Sequence, residues 1–524
     1  MQLVAYGAQD VYLTGNPQIT FWKVVYRRHT NFAVESIEQV FNGTADFGKK
    51  VVCQIQRNGD LITKMYLKVV LPALTSGYSW SPMVGHAMLK TVELNIGGTT
   101  IDKHYADWFN VWYQLARKFA HDRGYDQMIG NTTELTVPSA AGTPTATLYI
   151  PLYFFHCRND GLALPLIATQ YHDTRIEIEF NPVSQLVCGT SAASAPAVSL
   201  GSCSLFVDYV YLDSEERKKF AQASHEYLIE QLQFTGSESV TNTTSKFRLN
   251  FNHPCKALYF NIQQNQFLNT TGTNKFLAWN PKDANAMRVA ATQRGVLSFA
   301  APNAAGLFVA ASGVTGDLAA AITAARAVYY DISGSATDIS AGSIVILGTP
   351  FPNYIVSQPV ATLTSTYTSG FTRPTTGEGS SSYDVVVRQW DNYGVFLDKT
   401  INPMSTVLLQ LNGQDRFSVR DGAYFNYVQP WQCHSNTPAD GINVYSFSLN
   451  PEEHQPSGTC NMSRIDNATL NLTFVSSVSV VGAAGTSYST ISVPSITNSI
   501  CNIYATNYNV LRIMSGMAGL AYSN

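Results

Sequence analysis

The sequence predicts an all-β protein made of two antiparallel β-sandwiches in tandem. Three observations carry this expectation. Short β-branched and aromatic runs recur between Gly, Pro and Asn turns, helical periodicity is scarce, and a weak repeat places one strand–turn–aromatic motif in each half. At 524 residues the chain exceeds what a single core usually serves. Hydrophobic residues make up 45% and charged residues 13%, about half the usual charged share, with 28 Tyr and 26 Phe. That balance excludes a disordered chain. It implies a surface of Ser, Thr, Asn and Gln, or one buried in an assembly. The net charge of -3 gives no support to a global nucleic-acid binder.

In chain order, residues 1–30 read as an N-terminal arm. Its strand-like runs, residues 11–13 (VYL) and 19–26 (ITFWKVVY), are separated by Gly15-Asn16-Pro17, where Pro17 fixes its own φ and pushes Asn16 out of the helical region. Lys23, Arg27, Arg28 and His29 form a cationic cluster among Phe21, Trp22 and Tyr26. One reading is a solvated strand edge protected by charge. The other is a docking device that faces acidic partners: neighbouring subunits, minor proteins or an anionic lipid surface. One short cluster is a poor footprint for nucleic acid. The first ten residues, MQLVAYGAQD, lack a basic stretch followed by an apolar core, so no secretory signal is expected.

Residues 31–212 form the first expected sandwich, with strands at 65–71, 91–96, 174–180 (TRIEIEF, strictly alternating) and 204–212. A charged helix follows at 213–223, where Asp213 is placed to cap, Glu216 to close a capping box, and Glu215 to pair with Lys219. Residues 213–235 are therefore assigned to a connecting helix and linker. The second sandwich spans 236–524, with strands at 246–251, 257–262, 407–411, 443–449, 468–474 and 509–513.

The repeat sharpens this division. Glu93-Leu94-Asn95-Ile96-Gly97-Gly98 leads to Tyr105-Ala106-Asp107-Trp108-Phe109, and Gln410-Leu411-Asn412-Gly413 leads to Asp421-Gly422-Ala423-Tyr424-Phe425. Residues 267–401 hold Ala-, Gly-, Ser- and Thr-rich tracts too long for a structureless loop, so they read as a surface excursion carrying strands of its own. Residues 139–148 and 184–200 read as smaller loops of that kind. The charge-free run at 295–316 contains Pro302 and Asn303 and draws most of its apolar content from Ala, which argues against a membrane span.

Chemistry leaves little trace. There is no phosphate loop, dinucleotide fingerprint, HExxH, GxSxG or CxxC. His156-Cys157 and Cys433-His434 can suggest a metal, but tetrahedral zinc wants two short-spaced pairs together, and buried structural residues are the cheaper reading. His104, Asp107, His121 and Asp122 have no nucleophile at a defined spacing, and Glu452-Glu453-His454 reads as loop caps and surface ion pairs. No catalytic residue, cofactor or metal is therefore expected. The eight Cys are scattered, as in a chain folded in a reducing compartment. Sequons at Asn42, Asn131, Asn242, Asn269, Asn461, Asn467 and Asn471 are weak guides, and Asn131, Asn242 and Asn269 are the glycosylation candidates.

Several stretches resemble the double jelly-roll major capsid proteins of nucleocytoplasmic large DNA viruses, the chlorella viruses and mimivirus-like relatives. They are residues 7–32 (GAQDVYLTGNPQITFWKVVYRRHTNF), 58–61 with the strand YLKVVLP, 156–173, 224–236, 411–431, 441–472 and the closing 504–524. The resemblance implies a pair of eight-stranded antiparallel jelly rolls joined by a short helix and bearing long loop insertions. It implies a homotrimeric, pseudo-hexagonal capsomer that tiles an icosahedral shell around a double-stranded DNA genome. Expected partners are further copies of the chain, minor capsid and penton proteins, and, as a further candidate, an inner viral membrane. No direct sequence-specific binding of nucleic acid is expected. The arm would lie at the capsomer base facing inward, which gives Lys23, Arg27 and Arg28 an assembly role. The protein would be made in the host cytoplasm and reside in the virion. The competing class is a carbohydrate-binding or adhesive β-sandwich spike or fibre protein, which calls for an open groove with aromatic platforms.

Overall fold

Strict alternation makes a strand with one buried face, and Thr174–Phe180 behaves so: Ile176, Ile178 and Phe180 point into a core while Arg175 stays exposed. The computed structural model describes residues 7–522 apart from 20, 23, 76–77, 137–141, 190–195, most of 265–389, 396–398, 400, 482–487, 493–495 and 497–498. Within that span the first half builds eight core strands: β1 Phe32–Gln39, β2 Lys50–Gln54, β3 Leu61–Leu71, β4 Leu89–Ile96, β5 Thr99–Tyr105, β6 Ala146–Pro151, β7 Thr174–Phe180 and β8 Cys203–Leu212. They form two antiparallel sheets in the orders β1-β8-β3-β6 and β2-β7-β4-β5. Met65, Leu67, Val92, Leu94, Ile176 and Val207 meet between the sheets in one apolar core.

The second half repeats this order. Its strands are β9 His225–Phe234, β10 Thr244–Arg248, β11 Pro254–Gln263, β12 Met404–Leu411, β13 Gln414–Asp415, β14 Asn443–Ser446, β15 Ala468–Phe474 and β16 Ser499–Met514. The sheets run β9-β16-β11-β14 and β10-β15-β12-β13, so the same positions pair in both halves. First strand beside eighth, and second beside seventh, is the winding of a jelly roll. The chain is a double jelly roll.

The sequence repeat lies at corresponding places in the two rolls. In each, a hairpin turns over two residues of positive φ: Gly97 (59) and Gly98 (84) in the first, Asn412 (52) and Gly413 (78) in the second. Two-residue hairpins need such conformations, which Gly and Asn reach most cheaply. A helical segment follows in each case. In the first roll it is α1, Ala106–Ala116. In the second a π-helical turn, Tyr424–Val428, runs into a short α-helix, Gln429–Cys433.

Several expectations need correction. Residues 11–13 form a one-turn helix, Val11–Thr14, because Asp10 accepts from the Gly7 amide (2.7 Å) and its carbonyl from the Thr14 hydroxyl (2.7 Å). Asn16 does leave the right-handed helical region (φ 51), but the described residues of the 19–26 run form no strand, having no pairing neighbour among the described residues. The linker region contains β9, which joins the second sheet through β16. Residues 99–104, which link the two parts of the first repeat motif, belong with Tyr105 to β5, and the loop at 139–148 runs into β6.

The connecting helix α2, Ser214–Gln222, forms close to its expected bounds, but Asp213 makes no side-chain cap and Lys218, not Lys219, approaches Glu215 (3.4 Å). Both side chains of that pair stay in water, where such pairs are worth little. The anchor is tertiary instead: Arg217 reaches Asp60 at 3.0 Å, and Asp60 also accepts from the Leu212 amide at 2.9 Å. In the long excursion, backbone strands Leu277–Trp279, Ile344–Val345, Val356–Ser357 and Val385–Val387 pair into a small sheet, as expected of an insertion with strands of its own. Residues 295–316 lie outside the described residues. The end of the excursion is no surface loop, however, since Asp391, Asn392, Tyr393 and Val395 are buried.

Candidate functional site: the seam between the rolls and the terminal arm

The Asp107-Trp108-Phe109 cluster opens α1, and its spacing divides that helix between two cores. Phe109 enters the first roll, whereas Trp108, Val111, Trp112 and Leu115, spaced as one helical face, pack on the second roll. There they meet Tyr259 of β11, Tyr504 of β16, Val444 of β14, and Tyr393 from the end of the excursion. Trp108 lies 5.1 Å from Tyr259 in an edge-on contact and 5.6 Å from Tyr504, and the Arg158 guanidinium sits 4.4 Å over Trp112. The C-terminal end of α1 is also closed from the other roll. Asn436 donates its backbone N–H to the Leu115 carbonyl (3.1 Å) and its side-chain amide to that carbonyl and to the Arg117 carbonyl.

Two polar knots pin this apolar seam. At the first, Asp107 is buried and accepts from Asn261 (2.8 Å), Tyr504 (3.0 Å), Gln263 (3.4 Å), Asn502 (3.4 Å) and the Tyr393 hydroxyl. Burial raises its carboxyl above the ordinary value, and the surrounding donors oppose that rise. A cleft of about 280 Å3 opens beside it, lined in part by Tyr105, Phe234, Trp390 and Tyr504. With neutral donors around the carboxylate, the group holds two rolls and the returning excursion together.

At the second knot, Lys256 of β11 is fully buried, with its Nζ 2.6 Å from Glu230 of β9 and 2.8 Å from the Glu453 carbonyl. Arg158 of the first roll reaches the same carboxylate at 3.1 Å, and His454 lies 3.8 Å away. Burial pushes the Glu230 carboxyl up, but His454, Arg158 and Lys256 outweigh it and hold it below its ordinary value. Glu452, in the adjoining loop, accepts from His434 (2.8 Å) and from the Ser435 amide (2.9 Å), a loop cap as expected.

Gly441 closes the seam from the strand side. Its φ is +96, and a Cβ would run into the Tyr393 carbonyl oxygen. Gly441→Ala combines a conformation L residues avoid with a backbone clash, so it is expected to lower stability by at least ~1–3 kcal/mol. Chemical denaturation checks this, and an unchanged midpoint would show that Tyr393 does not pass so close.

The other candidates from the sequence are not brought into one centre. His104 faces Asp102 at 2.9 Å, Asp122 pairs with Arg117 at 3.3 Å, and His121 is exposed. His156 is buried between aromatic neighbours, its imidazole pushed down to about 3 by desolvation, and burial pushes the Cys157 thiol up to about 12. Among the described residues no group of three His, Cys, Asp or Glu is placed to hold a metal. Asn242 stands exposed in a bend before β10. Asn131 is half-buried and donates its side-chain amide to Asp126 at 3.0 Å, while Asn269 lies outside the described residues. Arg27 and Arg28 are exposed, as are Phe21, Trp22 and Tyr26, and Lys23 lies outside the described residues.

The residues that the sequence reading missed are those of the seam: Glu230, Lys256, Asn261, Tyr393, Asn502 and Tyr504. One signal existed for some of them. A lysine within the apolar strand PCKALYFNI and asparagines recurring along SICNIYATNYNV break the expected hydrophobic pattern, and buried polar groups in strands need partners.

Comparison with known proteins agrees with this architecture. Residues 216–519 match the family model described as large eukaryotic DNA virus major capsid protein, and residues 20–213 match that for the major capsid protein N-terminus. The chain is 44% identical over 569 residues to the major capsid protein of Phaeocystis pouchetii virus, covering 100% of this chain and 99% of that one. It is 42% identical over 613 residues to the major capsid protein of Chrysochromulina ericina virus, with the same coverage. Its structure matches the PBCV-1 virus capsid quasi-atomic model with a TM-score of 0.64 and 35% identity, over 96% of this chain and 100% of that one. With two jelly rolls locked by a buried seam and relatives matched end to end, the chain belongs to the major capsid protein family of large eukaryotic DNA viruses and is a structural component of the virion shell.

Proposed function

We propose that three copies of this chain close into a pseudo-hexagonal capsomer and that such capsomers tile an icosahedral shell. The observation that carries this reading is the seam: a rigid junction turns two similar rolls into consecutive sides of a ring. Residues 31–212 serve as one side and the roll that begins at β9 as the other, with α2 passing between them. Light scattering on the purified protein is expected to report three chains per particle, and a monomer would overturn the reading.

The arm works at the capsomer base. Its exposed Phe21, Trp22 and Tyr26, flanked by Arg27 and Arg28, suit a partner that is both apolar and acidic, such as minor capsid and penton proteins or the inner membrane surface. Lys23 adds to the same charge. An Arg27→Glu/Arg28→Glu variant is expected to keep its particle mass but lose salt-sensitive association with anionic vesicles and incorporation into shells. Unaltered incorporation would count against the arm. The function involves no catalytic step. Synthesis in the reducing host cytoplasm accords with the buried free thiols of Cys53, Cys255 and Cys501. Of Asn131 and Asn242, the two candidates among the described residues, Asn242 offers the accessible amide.

A further inference from the structure

The two rolls repeat one another, and the repeat leaves one contact without its partner. The aligned motifs set Trp108, Val111, Trp112 and Leu115 of α1 against Tyr424, Tyr427, Val428 and Trp431 of the second roll. The alignment is fixed by the neighbours: Phe109 and Phe425 each enter the core of their own roll, and Asn110 and Asn426 are both buried. Yet the two faces differ in exposure. Val111, Trp112 and Leu115 are 1%, 6% and 0% exposed, whereas Tyr427, Val428 and Trp431 are 42%, 39% and 78% exposed.

The surface that covers α1 also has a counterpart. In the second roll it centres on Tyr259, paired across β11 to Tyr504 on one side and Val444 on the other. In the first roll the same register sets Tyr66 of β3 opposite Phe206 and Pro151. The correspondence is anchored at the start of each strand, where a short extra strand pairs (Leu61 with Pro165, Pro254 with Asn461) and the pairing with the eighth strand slips soon after. Tyr66 stacks on Phe206 at 5.1 Å and meets Tyr149 edge-on at 6.1 Å, and the three rings are only partly buried.

We propose that Tyr427, Val428 and Trp431 of one copy seat on the Tyr66–Tyr149–Phe206 face of a second copy, repeating between chains the contact that α1 makes within one. The inference rests on the trimer reading and supplies its interface. A contact that joins a helix on one chain to a sheet on the next is head-to-tail, so it closes only as a ring. Trp and Tyr are the residues that dominate such contacts. One difference suits the roles. Ala423 takes the place of Asp107, so the carboxylate knot exists only in the permanent, in-chain seam.

Trp431→Glu and Tyr149→Glu, made separately, are each expected to give folded monomers by light scattering, while Leu449→Glu at another exposed position (76%) remains trimeric. A native-like far-UV circular dichroism spectrum and a single cooperative unfolding transition establish that the variants fold. Mixing the two variants restores one intact contact per pair, so a one-to-one dimer is expected and no trimer. A trimeric wild type with trimeric Trp431→Glu, or a mixture that stays monomeric, overturns the proposed face and leaves the trimer reading standing. A monomeric wild type removes that reading and this inference with it.

Discussion

Glu230→Ala is expected to cost about 3–5 kcal/mol, because it leaves Lys256 and Arg158 facing each other across the seam without their shared counter-charge. Lys256 has nowhere to turn: its side chain is fully buried, its remaining polar contact is the Glu453 carbonyl, and Tyr508 lies under it at 4.9 Å. Such a loss is a large share of the ~5–15 kcal/mol that holds a typical domain folded. A Glu230→Leu/Lys256→Met double variant removes both buried charges and should recover part of it. Chemical denaturation of the three proteins decides the matter. A Glu230→Ala cost below about 1 kcal/mol would mean the pair is hydrated.

Acid separates the two knots. Glu230 titrates below its ordinary 4.5 in the folded chain, so its contribution is present above that value and is lost as pH falls through the lowered one. Asp107 titrates above its ordinary 3.8, so its buried charge costs stability near neutrality, and that cost is relieved as pH falls through the raised value. The penalty for Glu230→Gln should therefore shrink in acid, while that for Asp107→Asn should grow.

Trp108→Ala is the second large effect, again about 3–5 kcal/mol, since a fully buried indole leaves a cavity bounded by Trp112, Tyr259 and Tyr504. Its signature should differ from that of an ordinary core truncation. Trp108 stands between two cores, so calorimetry is expected to resolve two unfolding transitions where the wild type shows one. Phe425→Ala, inside the second roll, should destabilise without that separation. If both variants melt alike, the seam is not what couples the rolls.

The strands legible in the sequence were those with one buried face and a clean alternation: 174–180 and 468–474 form with the bounds expected. Those missed lacked that pattern. β1, FAVESIEQ, is exposed along most of its length and is a strand because β8 offers it an edge. β5, TTIDKHY, is mostly polar and is fixed by β4. In both, the partner supplies what propensity does not. The capping box at Asp213 was legible but unused, because the ion pair to Asp60 already docks the helix.

The amino-acid sequence by itself determined the β-rich class, the doubling, the glycine turns and the aromatic clusters that follow them. Alternation, turn chemistry and helical spacing act over a few residues, where chain order and spatial order coincide. Only the tertiary structure decided the seam. Asp107 meets Asn261, Tyr393 and Tyr504 across separations of 154, 286 and 397 residues, and Lys256 meets Glu453 across 197. No local pattern encodes such meetings, because the dehydration that makes each pair matter exists only after both rolls have folded and closed on one another.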